Sequence, residues 1–248
     1  MTHTVNVTVF PDKQEACRQI AAEVATLIRE INAKGRPAVL GLATGGTPVP
    51  FYNELIQLHQ QGLSFKEVIT FNLDEYLGVG KDHPQSYWQF MHEKLFNHVD
   101  IDPSNIHIPA GMVEDADAHC ASYEEAIRAA GGIDFQVLGI GRTGHIGFNE
   151  PGSPKDSRTR QVELDAMTRE DAAKDFGGLD KVPESAITMG CGTILEAKKI
   201  ALLAFGEHKA GIVAEALNGP ITDRISASFL QEHPDATYYL DEAAAAKL

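Results

Sequence analysis

The stretch at 134–153, DFQVLGIGRTGHIGFNEPGS, decides the fold. It opens with an apolar run that is typical of a buried β-strand. The run leads into a loop that holds five glycines around His145 and Glu150. A buried strand that ends in such a loop is typical of the strand-to-helix connections of a parallel sheet.

The same alternation of a short β-rich run with a longer amphipathic run is repeated along the chain. Strands are predicted at 5–10, 38–43, 68–73, 105–109, 135–140, 186–190, 200–205 and 236–240. Helices are predicted at 12–34, 48–61, 84–98, 115–130, 192–198 and 207–218. Asp12 three residues before Glu15, and Thr47 before Pro48, are helix-start signals. Because no composition break divides the chain, we predict one α/β domain over 1–248, with a Rossmann-like, open, mostly parallel sheet and helices on both faces.

The composition argues against a nucleic-acid or membrane partner. The chain has 21 Lys and Arg against 35 Asp and Glu, a formal net charge of −14. This charge has the wrong sign for binding an anionic polymer or membrane surface. The longest apolar runs, such as IALLAF at 200–205, are too short to span a bilayer.

The three cysteines and the N-terminal stretch predict where in the cell the protein lies, and the C-terminal stretch bears on the length of the natural chain. Cys17, Cys120 and Cys191 form no C-x-x-C pattern, so we expect buried free thiols in a reducing environment. The N-terminal stretch has no leader-like pattern, and we predict a cytoplasmic protein. The helix-prone end at 241–248 has no cap, which suggests that the natural chain continues past Leu248 or has been trimmed.

Ligands of an open parallel sheet bind at the carboxyl ends of its strands. Thr44, Gly45, Gly46 and Thr47 follow the second predicted strand. The glycines allow close backbone approach, the threonines add hydroxyl donors, and the next helix points its N-terminus at the same place. These features outline a phosphate-binding loop. The alternative is a tight turn with an ordinary Thr-Pro cap.

Two carboxylates, Asp74 and Glu75, follow the third predicted strand. Side chains alternate across a strand, so only one of the two is expected to face the ligand. A partly desolvated carboxylate there could remove a proton from carbon, because burial raises its pKa. The alternative is one capping carboxylate and one solvated carboxylate.

The loop after 135–140 and the start of the last predicted helix complete the candidate site. The glycines of the loop leave little bulk beside His145. Glu150 could orient the imidazole, so that the two side chains form an acid–base couple. The alternative is a structural hydrogen-bonding histidine. Lys209, in the first turn of a predicted helix, is expected to share an anion with the helix start.

Taken together, these segments resemble the glucosamine-6-phosphate deaminases. The motifs are GLATGGTP, TFNLDEY followed by HPQSY, GHIGFNEP, SRTR, VPESAITMGCGT and GEHKA, in this order over 41–210. The related 6-phosphogluconolactonases share the fold and a Gly-His loop but lack the Phe-Asn-Glu-Pro continuation.

The resemblance implies a reaction without metal or cofactor that converts glucosamine 6-phosphate and water to fructose 6-phosphate and ammonia. Asp74 matches the family's base, which takes the C2 proton and delivers it to C1. His145 matches the residue that opens the sugar ring, and Glu150 matches its orienting partner. The phosphate-binding positions are matched by Thr44, Gly45, Gly46, Thr47 and Lys209.

The sequence departs from the family pattern at two site positions. Many members carry an acidic residue or Asn where this chain has Thr143, and a hydroxyl brings no charge to the imidazole. We therefore expect the acidic limb of the pH–rate profile to lie at lower pH than in relatives with an acidic residue. Lys174 stands where the family often has a phosphate-binding Arg and lacks its bidentate geometry. Arg169 is a rival for that role.

Some relatives are hexamers activated by N-acetylglucosamine 6-phosphate, through residues near SRTR and a longer C-terminal tail. Arg158 and Arg160 are present, but Val162 replaces a basic residue and the tail is missing, so allosteric activation is not predicted. A homo-oligomer stays open. The polar, glycine-punctuated stretch at 152–182 is the candidate lid.

Two other functions stay open. One is another sugar-phosphate enzyme of the same fold, either a lactonase or an isomerase of a non-amino sugar. The other is a non-catalytic sugar-phosphate sensor, against which the joint presence of Asp74, His145 and Glu150 argues.

Overall fold

The computed structural model describes residues 5–248. Residues 1–4 lie outside the described residues. They belong to the N-terminal stretch in which the sequence shows no leader-like pattern. The strands are β1 (Asn6–Phe10), β2 (Ala38–Leu42), β3 (Val68–Asn72), β4 (Asp74–Tyr76), β5 (Ile106–His107), β6 (Phe135–Leu138), β7 (Arg160–Glu163), β8 (Ser185–Thr188), β9 (Ile200–Ala204) and β10 (Ala236–Asp241). The helices are α1 (Lys13–Asn32), α2 (Val49–Gln60), α3 (Tyr87–Lys94), α4 (Ala116–Ala129), α5 (Ala166–Phe176), α6 (Cys191–Leu195) and α7 (Ala210–Asn218).

Seven strands form one sheet in the order β1, β10, β9, β6, β2, β3, β5, and every neighbouring pair is parallel. From β2 the chain builds outward through β3 and β5, whereas β6 lies on the other side of β2. The strand order therefore reverses between β2 and β6. In an open parallel sheet, such a switch point opens a crevice at the carboxyl ends of the strands.

Helices cover both faces of this sheet, as predicted. One buried cluster joins α1, α2 and α3 to the sheet, and a second joins α4, α6 and α7 to its other face. Strands β2, β6 and β9 are buried along their whole length, which explains their nearly continuous apolar sequences.

Local capping explains where several helices begin. The Asp12 carboxylate accepts hydrogen bonds from the N–H groups of Gln14 and Glu15, so the predicted start of α1 is confirmed. The predicted cap at Thr47 is wrong, because Pro48 is the residue that precedes α2 and no side chain caps that helix. Lys209 ends a short 3-10 turn, and α7 begins one residue later than Lys209.

A second sheet was not predicted. It is antiparallel, in the order β4, β8, β7, and it contains the strand that the sequence pattern assigned to the main sheet at 186–190. Strand β7 and helix α5 lie in the stretch that was described only as a polar lid candidate. Strands of three or four residues carry too few side chains for a readable alternation, and α5 buries none of its residues.

The three cysteines are free and buried, as expected, and burial raises the pKa of the Cys120 and Cys191 thiols to about 11. Over residues 5–248, no helix combines the length and the apolar character needed to cross a membrane.

Candidate active site

A cavity of about 190 Å³ opens at the switch point between β2 and β6. Its walls come from the loops that follow β2 and β6, from β4 with the residue before it, and from Tyr87 at the start of α3. The lining residues are Ala43, Thr44, Gly45, Gly46, Thr47, Leu73, Asp74, Tyr87, Gly139, Ile140, Gly141, His145, Gly147 and Phe148. The site therefore lies where an open parallel sheet places its ligands.

Asp74 supplies a buried carboxylate to the cavity wall. It is the first residue of β4, is paired with Thr188 of β8, and is 6% exposed. Within the described chain its carboxylate accepts no hydrogen bond. Burial, and then the charge of Glu75, raise the pKa of Asp74 to about 8. Such a carboxylate binds a proton near neutral pH, which suits a base acting on a weak carbon acid.

Glu75 points to the other side of β4, as strand alternation requires. Its carboxylate accepts hydrogen bonds from the N–H groups of Tyr76, Tyr87 and Trp88, at 2.9, 3.0 and 3.0 Å. The last two are the first residues of α3, so Glu75 fixes the start of that helix beside the cavity. Burial raises the pKa of Glu75 to about 7, although the three hydrogen bonds act in the opposite direction.

His145 lies on the β6 loop within reach of two oxygen atoms. Its Nδ1 is 2.8 Å from Thr143 Oγ1 and 3.1 Å from Glu150 Oε2. Since a carboxylate only accepts hydrogen bonds, this geometry favours a proton on Nδ1 and leaves the lone pair on Nε2. The predicted closeness of His145 and Glu150 is thus present in the structure.

The Glu150 carboxylate is held from both sides. Besides its contact with His145, it accepts a hydrogen bond from the hydroxyl of Thr168 on α5. Burial alone would raise the pKa of Glu150, but hydrogen bonds and charge from His145, with the Thr168 bond, hold it below its ordinary value. Glu150 is therefore an anion that can steady a cationic imidazole.

One glycine of the loop makes room for the imidazole itself. A Cβ added at Gly141 would lie 2.1 Å from His145 Nε2, closer than any side chain could stand. Gly141 thus lets the ring pack closely against the backbone of the loop. The sequence predicted that the glycines make room for a ligand beside the ring, and this stays a prediction.

Thr188 connects the His145 loop to the Asp74 strand. Its hydroxyl accepts a hydrogen bond from the N–H of Phe148 at 3.0 Å. A Cβ added at Gly147 would lie 2.9 Å from that hydroxyl and 3.5 Å from Asp74 Oδ2. Asp74 and His145, 71 positions apart in the chain, are in this way brought to one cavity.

The loop after β2 forms another part of the cavity wall. Thr44, Gly45, Gly46 and Thr47 all line the cavity, and Gly45 has a φ of 85°, which favours glycine. No side chain caps α2, and Val49 and Phe51 carry the N–H groups of its first turn, because Pro48 and Pro50 have none. The positive end of the helix dipole lies directly after the loop.

Lys209 lies behind the cavity wall. Its ammonium donates a hydrogen bond to the carbonyl of Ile140 at 2.7 Å, and Ile140 itself lines the cavity. Burial lowers the pKa of Lys209, and the charge of Asp171 partly compensates.

Lys174 and Arg169 lie on α5 and do not line the cavity. Lys174 is exposed near the end of that helix. The guanidinium of Arg169 donates hydrogen bonds to the carbonyls of Leu179 and Val182, so it holds the next turn of chain. An ion pair of 2.6 Å between Arg142 and Asp171 ties α5 to the His145 loop.

Three residues at the site were missed by sequence reasoning. Tyr87 lines the cavity, Thr168 contacts Glu150, and Thr188 connects the His145 loop to the Asp74 strand. Tyr87 and Thr188 carried a signal, because Tyr87 ends the HPQSY motif and Thr188 lies within VPESAITMGCGT. Among residues 5–248, no group of three or more His, Cys, Asp or Glu side chains is arranged to hold a metal ion.

Comparison with known proteins identifies relatives along nearly the whole chain. Residues 11–239 match the family model described as glucosamine-6-phosphate isomerases/6-phosphogluconolactonase. A glucosamine-6-phosphate deaminase of Shewanella woodyi is 52% identical over 92% of this chain and 87% of its own. Glucosamine-6-phosphate deaminase 2 of Bacillus subtilis is 50% identical over 95% of this chain and 94% of its own.

Solved structures give the same result. The structure of a monomeric glucosamine-6-phosphate deaminase has a TM-score of 0.94 at 44% identity and covers 98% of this chain and 100% of that one. A 6-phosphogluconolactonase of Trypanosoma brucei has a TM-score of 0.77 at 19% identity, over 99% of each chain. At that identity the second likeness shows a shared fold alone.

Proposed function

The chain belongs to the family of glucosamine-6-phosphate isomerases and 6-phosphogluconolactonases, and from this premise we propose how it acts as a glucosamine-6-phosphate deaminase. The overall reaction takes glucosamine 6-phosphate and water to fructose 6-phosphate and ammonia. One observation carries the proposal. The buried carboxylate of Asp74 and the ring of His145 line the same cavity as a glycine-threonine loop suited to phosphate.

The phosphate of the substrate binds at the loop of Thr44, Gly45, Gly46 and Thr47. Lys209 lies behind the neighbouring loop, where it is bonded to the carbonyl of Ile140. The N–H groups at the start of α2 and the ammonium of Lys209 supply positive potential there. Lys174, one helical turn beyond Asp171, adds a more distant charge. Binding energy from this non-reacting group holds C1 and C2 of the sugar in place.

His145 opens the pyranose ring by moving a proton from the O1 hydroxyl to O5. Glu150 and Thr143 hold its Nδ1 side, which fixes the ring orientation and steadies the charged form. Asp74 then takes the proton from C2 of the open chain and delivers it to C1. As C1 gains this proton, O1 takes up a proton from the C2 amine, so that C1 carries a hydroxyl and C2 an imine. Water then adds to C2, and the nitrogen leaves as ammonia with the two hydrogens of that water, which gives the ketone.

The decisive experiment compares wild type with Asp74→Asn, a change of nearly equal volume. Wild type is expected to produce ammonia and fructose 6-phosphate in equal amounts, and Asp74→Asn neither. Fructose 6-phosphate without ammonia, or lactone hydrolysis, would identify another sugar-phosphate enzyme of this fold. A sensor would bind the sugar phosphate without turnover, and its binding would be unchanged in Asp74→Asn.

The proposal also covers the domain organisation, the location and the oligomeric state of the protein. We infer a single domain over 1–248, a cytoplasmic location, and a reaction that needs neither cofactor, metal nor nucleic acid. A homo-oligomer, left open by the sequence, is tested by a mass measurement in solution, for which the monomeric relative gives the alternative outcome.

A further inference from the structure

Glu75 is a buried carboxylate that the mechanism above does not use. It is 2% exposed and follows Asp74 directly on β4, with the two side chains on opposite sides of the strand. Three backbone N–H groups donate to its two oxygens, two of them from the first turn of α3. A carboxylate in this position is hard to replace with any neutral group, because it satisfies three donors at once.

The same contacts oppose the effect of burial on Glu75, which raises the pKa of Glu75 to about 7. A carboxylate that accepts three N–H bonds is favoured as the anion, and the N-terminus of α3 adds a positive potential. Asp74 has no such donors among the described residues and faces the cavity instead. As the pH rises, Glu75 therefore ionises first, at a pKa of about 7, and Asp74 loses its proton second, at a pKa of about 8.

Resting on the deaminase function proposed above, we propose that Glu75 is a positioning residue for the carbon base. Its ionised carboxylate, fixed by three N–H groups one residue from Asp74, makes Asp74 hold a proton more tightly than burial alone would. A base of higher proton affinity removes a proton from carbon faster once it is ionised. Glu75 also fixes the start of α3 and, through it, the Tyr87 ring in the cavity wall.

The other ionisable groups near the pair do not provide this charge. Burial raises the pKa of Tyr76 to about 12 and raises the pKa of each of the other tyrosines near Asp74, so all are neutral at working pH. The groups that face the pair are Tyr52, Tyr76, Tyr87, Tyr123, His145 across the cavity, and Lys81 on the far side of Glu75. The Lys81 ammonium lies 3.8 Å from the centre of the Trp88 ring and makes no ion pair with Glu75.

The kinetic test is the pH profile of kcat/KM for Glu75→Gln, which keeps the shape of the side chain and removes its charge. Because Asp74 must be ionised to act, the rate rises with pH through its pKa. In Glu75→Gln this rise is expected to move to lower pH by roughly one unit. The plateau at high pH is expected to fall several-fold, because the base is weaker. The two profiles then differ in position as well as in height.

Two further variants separate charge from structure. Glu75→Asp keeps the charge but not the reach, so its rise is expected to stay near the wild-type pH even where activity falls. Ser86→Ala removes an uncharged cap of α3, whose hydroxyl accepts from the N–H of Gln89, and is expected to leave the rise in place. A loss of the same factor at every pH in Glu75→Gln would reduce Glu75 to a helix cap and overturn the proposal.

A second measurement needs no turnover. Carboxyl-labelled protein can be titrated by ¹³C NMR as wild type, as Glu75→Gln and as Glu75→Asp. Because Glu75 ionises before Asp74, loss of the Glu75 charge in Glu75→Gln is expected to move the Asp74 titration to lower pH, and Glu75→Asp, which keeps the charge, is expected to leave it near the wild-type pH. An Asp74 signal that titrates at the same pH in wild type and Glu75→Gln would overturn the proposal. If the protein released no ammonia, the proposed function would fail while this titration still answered the question.

Discussion

The hydroxyl of Thr143 lies 2.8 Å from Nδ1 of His145, and it also lies 3.4 Å from Oε2 of Glu150. A side chain without charge thus occupies the position that many relatives fill with an acidic residue or Asn. The imidazole is left with one carboxylate partner, Glu150.

Thr143→Asp is expected to steepen the acidic limb of the pH–rate profile and move it to higher pH, because both His145 and Asp74 must lose a proton along that limb. A second carboxylate beside Nδ1 favours the protonated ring, so a higher pH is needed to free Nε2. Profiles of kcat/KM for wild type, Thr143→Asp and Thr143→Asn measure the effect. Thr143→Asn keeps a polar contact without charge and is expected to stay near wild type. An unchanged profile in Thr143→Asp would contradict the role given to this contact.

Gly141→Ala is expected to lower kcat by about 100-fold, since the added Cβ would displace the His145 ring by the order of an ångström. Gly139→Ala is the control for added bulk, because Gly139 also lines the cavity but its Cβ would meet no protein atom within 4 Å. Steady-state kinetics and a crystal structure of each variant check this. Equal losses of kcat in the two variants would mean that added bulk, and not the position of the ring, matters.

Lys174→Ala is expected to raise KM for the sugar phosphate roughly two- to fivefold with little change in kcat, as an exposed cation contributes only weakly. Arg169→Ala is expected to leave KM unchanged and to lower the free energy of unfolding by about 1–2 kcal/mol, since its bonds go to the carbonyls of Leu179 and Val182. The reverse pattern of KM values would assign phosphate contact to Arg169.

Glu124 joins three segments of the fold and is expected to govern stability. Its buried carboxylate accepts hydrogen bonds from the N–H and hydroxyl of Thr159, the hydroxyl of Thr193 and the guanidinium of Arg158. Glu124→Gln is expected to lower the free energy of unfolding by about 2–4 kcal/mol, because an amide cannot satisfy this set of donors. Urea unfolding measures this free energy. The control is Glu125→Gln at the exposed neighbouring position, which is expected to unfold within about 0.5 kcal/mol of wild type.

The same carboxylate gives stability a pH dependence. Burial alone would raise the pKa of Glu124, but hydrogen bonds from Thr159, Thr193 and Arg158 hold it below its ordinary value. Its contribution is therefore complete above the ordinary glutamate pKa, about 4.3, and is lost as pH falls through the lower folded value. A Glu124→Gln deficit that did not shrink toward acid pH would show that the charge is unimportant.

Much of the fold and of the candidate site could be read from local sequence. The apolar runs at 38–43 and 135–140 predicted two central strands, and the residues after them line the cavity. The partners of Glu75 could not be read in this way, because the N–H groups of Tyr87 and Trp88 lie more than ten positions away. Thr168 lies in a helix with no buried face, so nothing in its sequence pattern pointed to Glu150.

The sequence by itself determined the parallel sheet, because burial on both faces requires a continuous apolar run that a reader can recognise. It also determined which loops hold reactive side chains. Only the tertiary structure decided the hydrogen-bond partners and the pKa shifts of those side chains. In the small sheet, β4 pairs with β8, and Asp74 and its partner Thr188 are 114 positions apart. This sheet sends Asp74 to the cavity and Glu75 to α3. Such long-range pairing of very short strands depends on packing partners elsewhere in the chain, which a local sequence pattern does not show.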